Sequence, residues 1–342
     1  MKTKINLGII VILSFLIHST AFCARAKVMD IDSANKLLAK TINIAYTFDA
    51  PKEGAWGNIL TKEELKNIKS AGFTAVRLPI QWCARMDSVA PYAINESFLK
   101  RIDYVVKKSL KNHLAIIIEN CIDDRLMAQP EKYKARFLSL WEQLSAHYAS
   151  YPQQVMFEIM AEPHSKLADV WNEYYPIALA AIRLHNPTRP VIIGPVFYNN
   201  PHNLFSLHLP DNDHYIIVTF HLYEPIKFTM QGEKWLTYGK PMEWIGTKWT
   251  ASPAEQKAVT DNMNIAAKWA TAHNRPVFMG EFGVSDNADT ASKTKFLTFY
   301  REQAEQRHFS WGVWNYSVDF SIYDKTRQQW NKDFLNALIP AL

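Results

Sequence analysis

Eight short apolar runs alternate along the chain with segments of helical periodicity, and this alternation limits the possible folds more than any other feature. Each run is rich in apolar and β-branched residues, which is typical of a strand buried on both faces of a parallel sheet. The predicted strands are Thr41–Phe48, Thr74–Ile80, Leu114–Asn120, Val155–Glu162, Pro190–Val196, Tyr215–Tyr223, Pro276–Gly283 and Phe309–Ser317.

Helical patterns fill most of the gaps between these runs. The predicted helices are Thr61–Ala71, which begins with a capping-box pattern, Glu96–Asn112, Lys132–Ala149, Leu167–His185, Pro253–His273, Ala291–His308 and Gln328–Leu338, with a short segment at Asn203–Leu207. This alternation predicts a single-domain α/β fold, a (β/α)₈ TIM barrel, which takes about 250 residues plus insertions. A doubly wound sheet is the alternative, but no Gly-rich phosphate loop follows the first strand.

The N-terminus has the pattern of a secretory signal peptide. Met1–Lys4 is basic, Ile5–Ile17 is almost entirely apolar, and Ala24–Ala26 is a suitable cleavage site. Because the apolar stretch is too short to span a bilayer, we expect residues 1–26 to be removed. The mature chain, residues 27–342, is then expected in the periplasm or outside the cell, without membrane contact. An uncleaved anchor is the alternative.

Charge and cysteine content argue against two kinds of partner. The formal net charge of the 342 residues is +5, but the expected signal peptide carries three basic and no acidic residues, and no dense basic stripe follows it. Nucleic acid is therefore not an expected partner. Outside the signal peptide only Cys83 and Cys121 remain, neither in a CxxC pair, so no metal site or other cofactor is predicted.

Two glutamates stand where a barrel places its functional groups. Glu162 closes the fourth predicted strand and Glu281 lies near the end of the seventh. The C-terminal ends of barrel strands meet at one face, where the active sites of such enzymes lie. Paired carboxylates facing one cleft are what glycosidic bond cleavage requires, since one protonates the leaving oxygen and the other attacks or stabilises the sugar. Pairing of each glutamate with a basic residue is the purely structural alternative.

Other polar and aromatic side chains are expected at the same face. Arg77 lies inside the second predicted strand and needs a carboxylate, and pairing with Glu281 would keep that group ionised. His221 and Tyr223 end the sixth predicted strand and could orient the glutamates by hydrogen bonding. Trp314 ends the eighth and could form the floor of a sugar site. Further candidates for stacking on a sugar chain are Trp56, Trp82, Trp235, Trp244 and Trp249.

Six segments carry these residues in a recognisable order. They are Phe48–Gly57, Gly72–Pro79, Phe157–His164, Thr219–Pro225, Phe278–Gly283 and Ile322–Asp324. They resemble glycoside hydrolase family 5, in particular its endoglucanases and mannanases. The resemblance implies a (β/α)₈ barrel that cleaves β-linked polysaccharides with retention, with Glu162 as acid/base and Glu281 as nucleophile. It also implies that Arg77, His221, Tyr223 and Trp314 surround the sugar next to the broken bond.

Several positions depart from the family pattern. Ala161 stands where the family has an asparagine that contacts the sugar 2-hydroxyl, and Cys121 and Ile122 stand where it has paired histidines. Tyr46 and Met230 replace a further asparagine and histidine. Each change removes a polar contact or adds bulk, so a large fall in rate is plausible. Cys83 and Cys121 follow adjacent strands, where they either form a disulfide or remain free thiols.

These features predict a secreted, monomeric, retaining β-glycanase that acts on a polysaccharide or oligosaccharide. An endo-β-1,4-glucanase with a modified sugar site is the best substrate assignment, followed by a hydrolase of mannan or a decorated glucan. A weakly active or inactive carbohydrate-binding barrel is the second hypothesis, because aromatic residues would still stack on sugars while Ala161 and Ile122 weaken catalysis. A barrel that acts through a protein partner is the third.

Overall fold

Eight parallel strands form a closed barrel in the computed structural model, which describes residues 28–340. The strands are Lys40–Asn43 (β1), Ala75–Ile80 (β2), Ala115–Asn120 (β3), Val155–Glu158 (β4), Val191–Ile193 (β5), Ile216–His221 (β6), Val277–Phe282 (β7) and Ser310–Val313 (β8). They follow chain order around the barrel, and β8 pairs with β1 to close it. The predicted single-domain (β/α)₈ barrel is therefore confirmed. The predicted signal peptide lies outside the described residues.

Helices precede, connect and follow the strands along the chain. They are Ile31–Leu37 (α1), Lys62–Ser70 (α2), Glu96–Lys111 (α3), Asp124–Ala128 (α4), Pro130–His147 (α5), Ser165–His185 (α6), Val196–Asn199 (α7, a single turn that contains left-handed residues), Ile226–Thr229 (α8), Pro253–His273 (α9), Thr290–Gln306 (α10) and Lys332–Leu338 (α11). The capping box predicted at the start of α2 is present, because Thr61 and Glu64 each accept a backbone N–H of the other. No helix among residues 28–340 is long and apolar enough to cross a membrane.

The barrel interior has an apolar layer below a polar one. The apolar layer and the residues of α1 that pack beneath it are Ala34, Leu38, Ala75, Ala115, Ile117, Met156, Ile192, Ile217 and Phe278. Towards the C-terminal ends of the strands lie the buried polar side chains Asn43, Arg77, Glu119, Glu158, Thr219 and His221. Alternate side chains of each strand point into the barrel. The polar ones come later along their strands than the apolar ones, so they lie nearer the mouth, where loops complete a site.

Several predicted element boundaries were wrong. β1 ends at Asn43, not at Phe48, and β4 ends at Glu158, so Glu162 lies in the following loop. Backbone direction changes at both places, since Tyr46 and Glu162 have positive φ of 59° and 54°. Such left-handed residues cannot continue a strand, so neither strand could run on to its predicted end.

Candidate active site

A cavity of about 1110 Å³ opens at the C-terminal ends of the strands. Six of the residues predicted for the site line it, namely Trp56, Glu162, His221, Tyr223, Glu281 and Trp314. Arg77 is fully buried beneath them. The fold therefore brings all seven to one end of the barrel.

Arg77 is the centre of a charged network in the upper layer. Its Nε and Nη2 donate to the two oxygens of Glu158 at 2.6 and 2.9 Å, which is a bidentate pair. Its Nη1 donates to Asn43 Oδ1 at 2.8 Å and to Glu281 Oε1 at 2.7 Å, which is the contact expected from the sequence. Arg77 on β2 thereby fixes side chains of β1, β4 and β7, and it holds the Glu281 carboxylate in one orientation.

Glu281 is held in its ionised form. Its second oxygen, Oε2, accepts a hydrogen bond from the Tyr223 hydroxyl at an oxygen–oxygen distance of 2.9 Å. His221 Nδ1 lies 3.6 Å from the same oxygen. Burial alone would raise the pKa of Glu281, but the charges of His221 and Arg77 and the Tyr223 hydrogen bond outweigh it and lower the pKa below its ordinary value. A buried carboxylate with two bound oxygens and a lowered pKa is suited to act as a base or nucleophile, not as an acid.

His221 lies between the two glutamates. Its Nδ1 is 2.6 Å from Glu162 Oε1, and its Nε2 is 3.2 Å from the side-chain amide of Asn199. Burial lowers the pKa of His221, but the charge of Glu281 and the hydrogen bond to Glu162 raise it above its ordinary value. Because a protonated imidazole donates through both nitrogens, Asn199 should present its amide oxygen, which otherwise has no partner among residues 28–340.

Glu162 occupies the more accessible side of the site. Its side chain is 19% exposed, whereas that of Glu281 is 9% exposed. The left-handed backbone of Glu162 is secured by His164, whose ring Nδ1 lies 2.7 Å from the Glu162 carbonyl oxygen. One carboxylate oxygen each from Glu162 and Glu281 and a nitrogen of His221 all lie within 4.8 Å of one another. Two carboxylates with different surroundings therefore face one space.

Comparison with known proteins supports what this geometry suggests. Residues 37–319 match the family model described as cellulase, glycosyl hydrolase family 5. The chain belongs to glycosyl hydrolase family 5. It is similar to Endoglucanase H of Acetivibrio thermocellus, with 32% identity over 86% of this chain, and to Cellulase/esterase CelE of the same species, with 26% identity over 80% of it. The chain spans about a third of the length of these two relatives (32% and 35%).

Two solved structures resemble most of the chain. The endoglucanase Cel5A of Thermotoga maritima has a TM-score of 0.88 and 38% identity, covering 91% of this chain and all of that one. The cellulose synthase subunit Z of Clostridioides difficile has a TM-score of 0.84 and 32% identity, covering 87% of this chain and 98% of that one. Both likenesses extend through the strands that carry the site.

The five positions that were expected from the sequence to depart from the family 5 pattern lie in the cavity wall. They are Tyr46, Cys121, Ile122, Ala161 and Met230. Ala161 donates its backbone N–H to the Asn120 carbonyl, but its methyl group offers no polar contact to a ligand. Tyr46 packs edge-on against Trp56 with ring centroids 6.1 Å apart. These five positions therefore contribute mostly apolar surface to the wall.

Cys83 and Cys121 are free cysteines in the structure, so the disulfide is not formed and the free-thiol alternative applies. The different surroundings of the two cysteines explain why they do not pair. Cys121 lines the cavity, whereas Cys83 lies in a short 3₁₀ helix, Trp82–Ala84, and contacts Asp123 and Arg125. Burial raises the pKa of both thiols and keeps them protonated at neutral pH.

Only some of the candidate tryptophans reach the cleft. Trp56, Trp235 and Trp314 line it, and the first two are about half exposed. Trp82 and Trp249 are buried in the core, so their predicted stacking role was wrong. Apolar residues of a loop are easily mistaken for a binding surface when the sequence gives no information on what covers them.

Three side chains of the site are close enough together to bind a metal ion, but their hydrogen bonds differ from those of a metal site. Glu162, His221 and Glu281 have the spacing that could hold an ion. However, Glu281 is already bound by Arg77 and Tyr223, and His221 directs Nδ1 at Glu162. These hydrogen bonds already use both oxygens of Glu281 and one oxygen of Glu162, so this cluster fits proton transfer better.

The sequence prediction missed Asn43, Glu119, Glu158 and Asn199. Glu119 on β3 lies beside Glu158 on β4 in the register of the two strands, and each lies within an otherwise apolar run. A charged residue inside a buried strand needs a partner, so both could have been assigned to the Arg77 network. Asn199 carried no signal, because its place depends on a left-handed turn at Phe197–Asn199.

Proposed function

We propose that this protein is an endo-β-1,4-glucanase that hydrolyses its substrate with retention of configuration. The observation that carries the proposal is the pair Glu162 and Glu281, which face one cavity with oxygens within 4.8 Å. Retaining enzymes place their two carboxyl groups about 5 to 5.5 Å apart, whereas inverting enzymes leave room for a water between them. The short separation supports direct attack by a carboxylate.

The proposed reaction uses the two glutamates in different states. Glu281, ionised and oriented by Arg77 and Tyr223, attacks the anomeric carbon and forms a glycosyl ester. The leaving oxygen takes a proton from the hydrogen-bonded pair Glu162–His221, through Glu162, which faces the cavity. Glu162 then accepts a proton from the water that attacks the ester, and Glu281 is released as a carboxylate.

Glucan is the substrate that the relatives favour. Thermotoga maritima Cel5A has been solved with cellobiose and with mannotriose, and the curated relatives are named endoglucanases or a cellulase/esterase. We therefore place β-1,4-glucan first and mannan or glucomannan second. Exposed aromatic side chains on both sides of the cavity, including Trp56 and Trp235, provide faces on which successive sugars could stack.

Reducing-end release by the purified protein tests this proposal. The panel is hydroxyethyl-cellulose, mixed-linkage β-glucan, xyloglucan, glucomannan, mannan and xylan, with Glu281→Gln as the control. We expect release from a glucan that Glu281→Gln abolishes, and NMR of the first product should show the β-anomer. The α-anomer would contradict retention, and no release above the control on any polymer would contradict the enzyme.

A binding barrel with little hydrolysis is the second candidate. The replacement of family polar residues by Ala161, Cys121 and Ile122 favours it, because fewer groups remain to stabilise the transition state. Calorimetric titration with cello-oligosaccharides distinguishes the two. Tight binding by the wild type without any product would support the binding barrel.

Export is also part of the proposal. The basic and apolar pattern of residues 1–26 supports cleavage after Ala26 and a periplasmic or extracellular location. N-terminal sequencing of the protein recovered from a secreting host should begin at Lys27. Recovery of the intact N-terminus in a membrane fraction would contradict this.

A further inference from the structure

The cavity wall carries carboxylates on all sides. Seven acidic residues line it, namely Asp49, Glu119, Asp124, Glu162, Glu224, Glu281 and Asp319. No lysine or arginine is among the lining residues. The two compensating cations of the polar layer are Arg77, fully buried below, and His221. Negative charge is therefore in excess on the surface that a ligand meets.

Three of these carboxylates form an exposed rim, and we call them the rim carboxylates. Asp124 follows β3, Glu224 follows β6 and Asp319 follows β8, so they surround the mouth from three directions. All three are exposed, and none has a basic partner within 4 Å among residues 28–340. Lys227 and Lys234 of the loop after β6 lie outside the lining.

A second observation comes from the floor of the cavity. Glu119 is 1% exposed, and its Oε2 makes no hydrogen bond among the described residues. That oxygen lies 3.1 Å from Arg77 Nη2, but Nη2 already donates to Glu158 and is not aligned with it. Burial raises the pKa of Glu119 well above its ordinary value. The Oε2 of this buried carboxyl thus has an ion-pair partner in Arg77 but no hydrogen-bond donor, and Glu119 lines the cavity.

Aromatic faces accompany the carboxylates. Trp56, Tyr198, Trp235 and Tyr238 line the cavity, and each is about half exposed. Rings of this kind attract cations as well as sugar faces. Carboxylates and aromatic rings together are a surface that attracts positive charge and repels negative charge.

We infer that the cleft selects its glycan by charge, favouring β-glycans that carry protonated amino groups, such as 2-amino-2-deoxyglucose units, over neutral ones, and disfavouring carboxylated ones. The inference rests on the proposed glycan hydrolysis and deepens it by naming a substrate class. Rim charges act over about 10 Å at an ionic strength of 0.1 M and less at higher salt. They therefore change the local concentration of a charged polymer without taking part in bond cleavage.

The test compares three soluble β-1,4-glucans of equal chain length and degree of substitution: hydroxyethyl-cellulose, its trimethylammonium derivative and its carboxymethyl derivative. We expect kcat/KM on the cationic polymer to exceed that on the anionic one at least about tenfold at low salt. The ratio should fall towards one as salt rises from about 20 to about 500 mM, because screening removes the interaction. A ratio of one at low salt, or a ratio unaffected by salt, would overturn the inference.

A triple variant isolates the rim. Asp124→Asn, Glu224→Gln and Asp319→Asn together should reduce the cationic-to-anionic ratio severalfold. The matched control is Glu142→Gln, Glu173→Gln and Asp211→Asn, three exposed residues that do not line the cavity and that change the net charge equally. An equal effect of both triples would assign the preference to net charge and refute selection by the cleft.

Binding of the same polymers, and of partly deacetylated chitin, to the Glu281→Gln variant separates this inference from the proposed function. If affinity follows the charge of the polymer but the wild type hydrolyses none of them, the proposed enzymatic function is refuted and the inference of charge selection stands. If the wild type hydrolyses the neutral glucan and all polymers bind equally, the proposed enzymatic function stands and the inference of charge selection is refuted. Circular dichroism melts of each variant verify that it is folded.

Discussion

At the scale of single residues, the site combines a hydrogen-bonded charged centre with an apolar stretch of cavity wall. Arg77, Tyr223 and Glu281 form one hydrogen-bonded unit, while Ala161 and Ile122 line the cavity without polar contacts of their own. Truncating one member of the charged unit would leave a buried charge unpaired. Replacing a wall residue has no such cost, so the wall is free to change without loss of the fold.

Introducing asparagine, the residue that the family resemblance implies at position 161, should raise activity. In Ala161→Asn, a side-chain amide next to Glu162 can donate to a sugar hydroxyl, and a contact that strengthens in the transition state raises kcat/KM. We expect a gain of at least about tenfold, or about 1.4 kcal/mol, in reducing-end release from hydroxyethyl-cellulose. Ala161→Leu, which adds bulk without a donor, is the control, and an equal gain there would refute the hydrogen-bond explanation.

At the scale of elements, the periodicity of the sequence predicted all eight strands but not where they end. Apolar runs specify the strand cores, but they do not reveal the left-handed residues beyond the strand ends, such as Tyr46 and Glu162. The predicted helix Gln328–Leu338 shows the same limit, since Gln329–Trp330 (β10) pairs with Tyr323–Asp324 (β9) and the helix begins only at Lys332.

The α1 helix was missed because seven residues give too short a pattern for periodicity. The His221–Asn199 contact was not predicted either, because it depends on the conformation of the loop that carries Asn199. It was predictable that the charged partners of Arg77 are carboxylates, because a buried arginine requires them. Only the tertiary register of β3 and β4 decides that Glu119 and Glu158 are among them.

The α1 helix should stabilise the barrel from below without affecting the site. Leu38, at its C-terminus, is fully buried against the apolar layer. Leu38→Ala should lower the free energy of unfolding by about 2 to 5 kcal/mol and leave KM unchanged, as measured by urea denaturation and by kinetics. Leu184→Ala, at a 79% exposed leucine, should cost less than about 0.5 kcal/mol. Similar losses in both variants would refute a role for α1 in closing the barrel.

At the scale of the whole molecule, one cation joins distant parts of the closed sheet. From β2, Arg77 contacts Asn43 on β1, Glu158 on β4 and Glu281 on β7. These side chains replace the apolar filling that occupies the lower interior, so the upper part of the barrel depends on charge compensation for its stability. The same network that orients the proposed nucleophile therefore also supports the fold.

Removal of that cation should destabilise the barrel in a pH-dependent way. Arg77→Met leaves the Glu158 and Glu281 carboxylates buried without a counter-charge, which should cost about 3 to 5 kcal/mol near pH 7. In the wild type the pKa of Glu281 is lowered, so its contribution is present above its unfolded pKa of about 4.5 and is lost only as the pH falls further.

In the variant, burial without Arg77 should instead raise the pKa of Glu281 above its unfolded value, so that protonation restores stability as the pH falls. The difference in free energy of unfolding between wild type and Arg77→Met should therefore narrow from about pH 7 to about pH 5, which urea denaturation across that range measures. Arg327→Met, at a side chain that is 75% exposed, should differ from wild type by less than about 0.5 kcal/mol at every pH. A constant difference for Arg77→Met would mean that lost packing, not an uncompensated buried charge, causes the destabilisation.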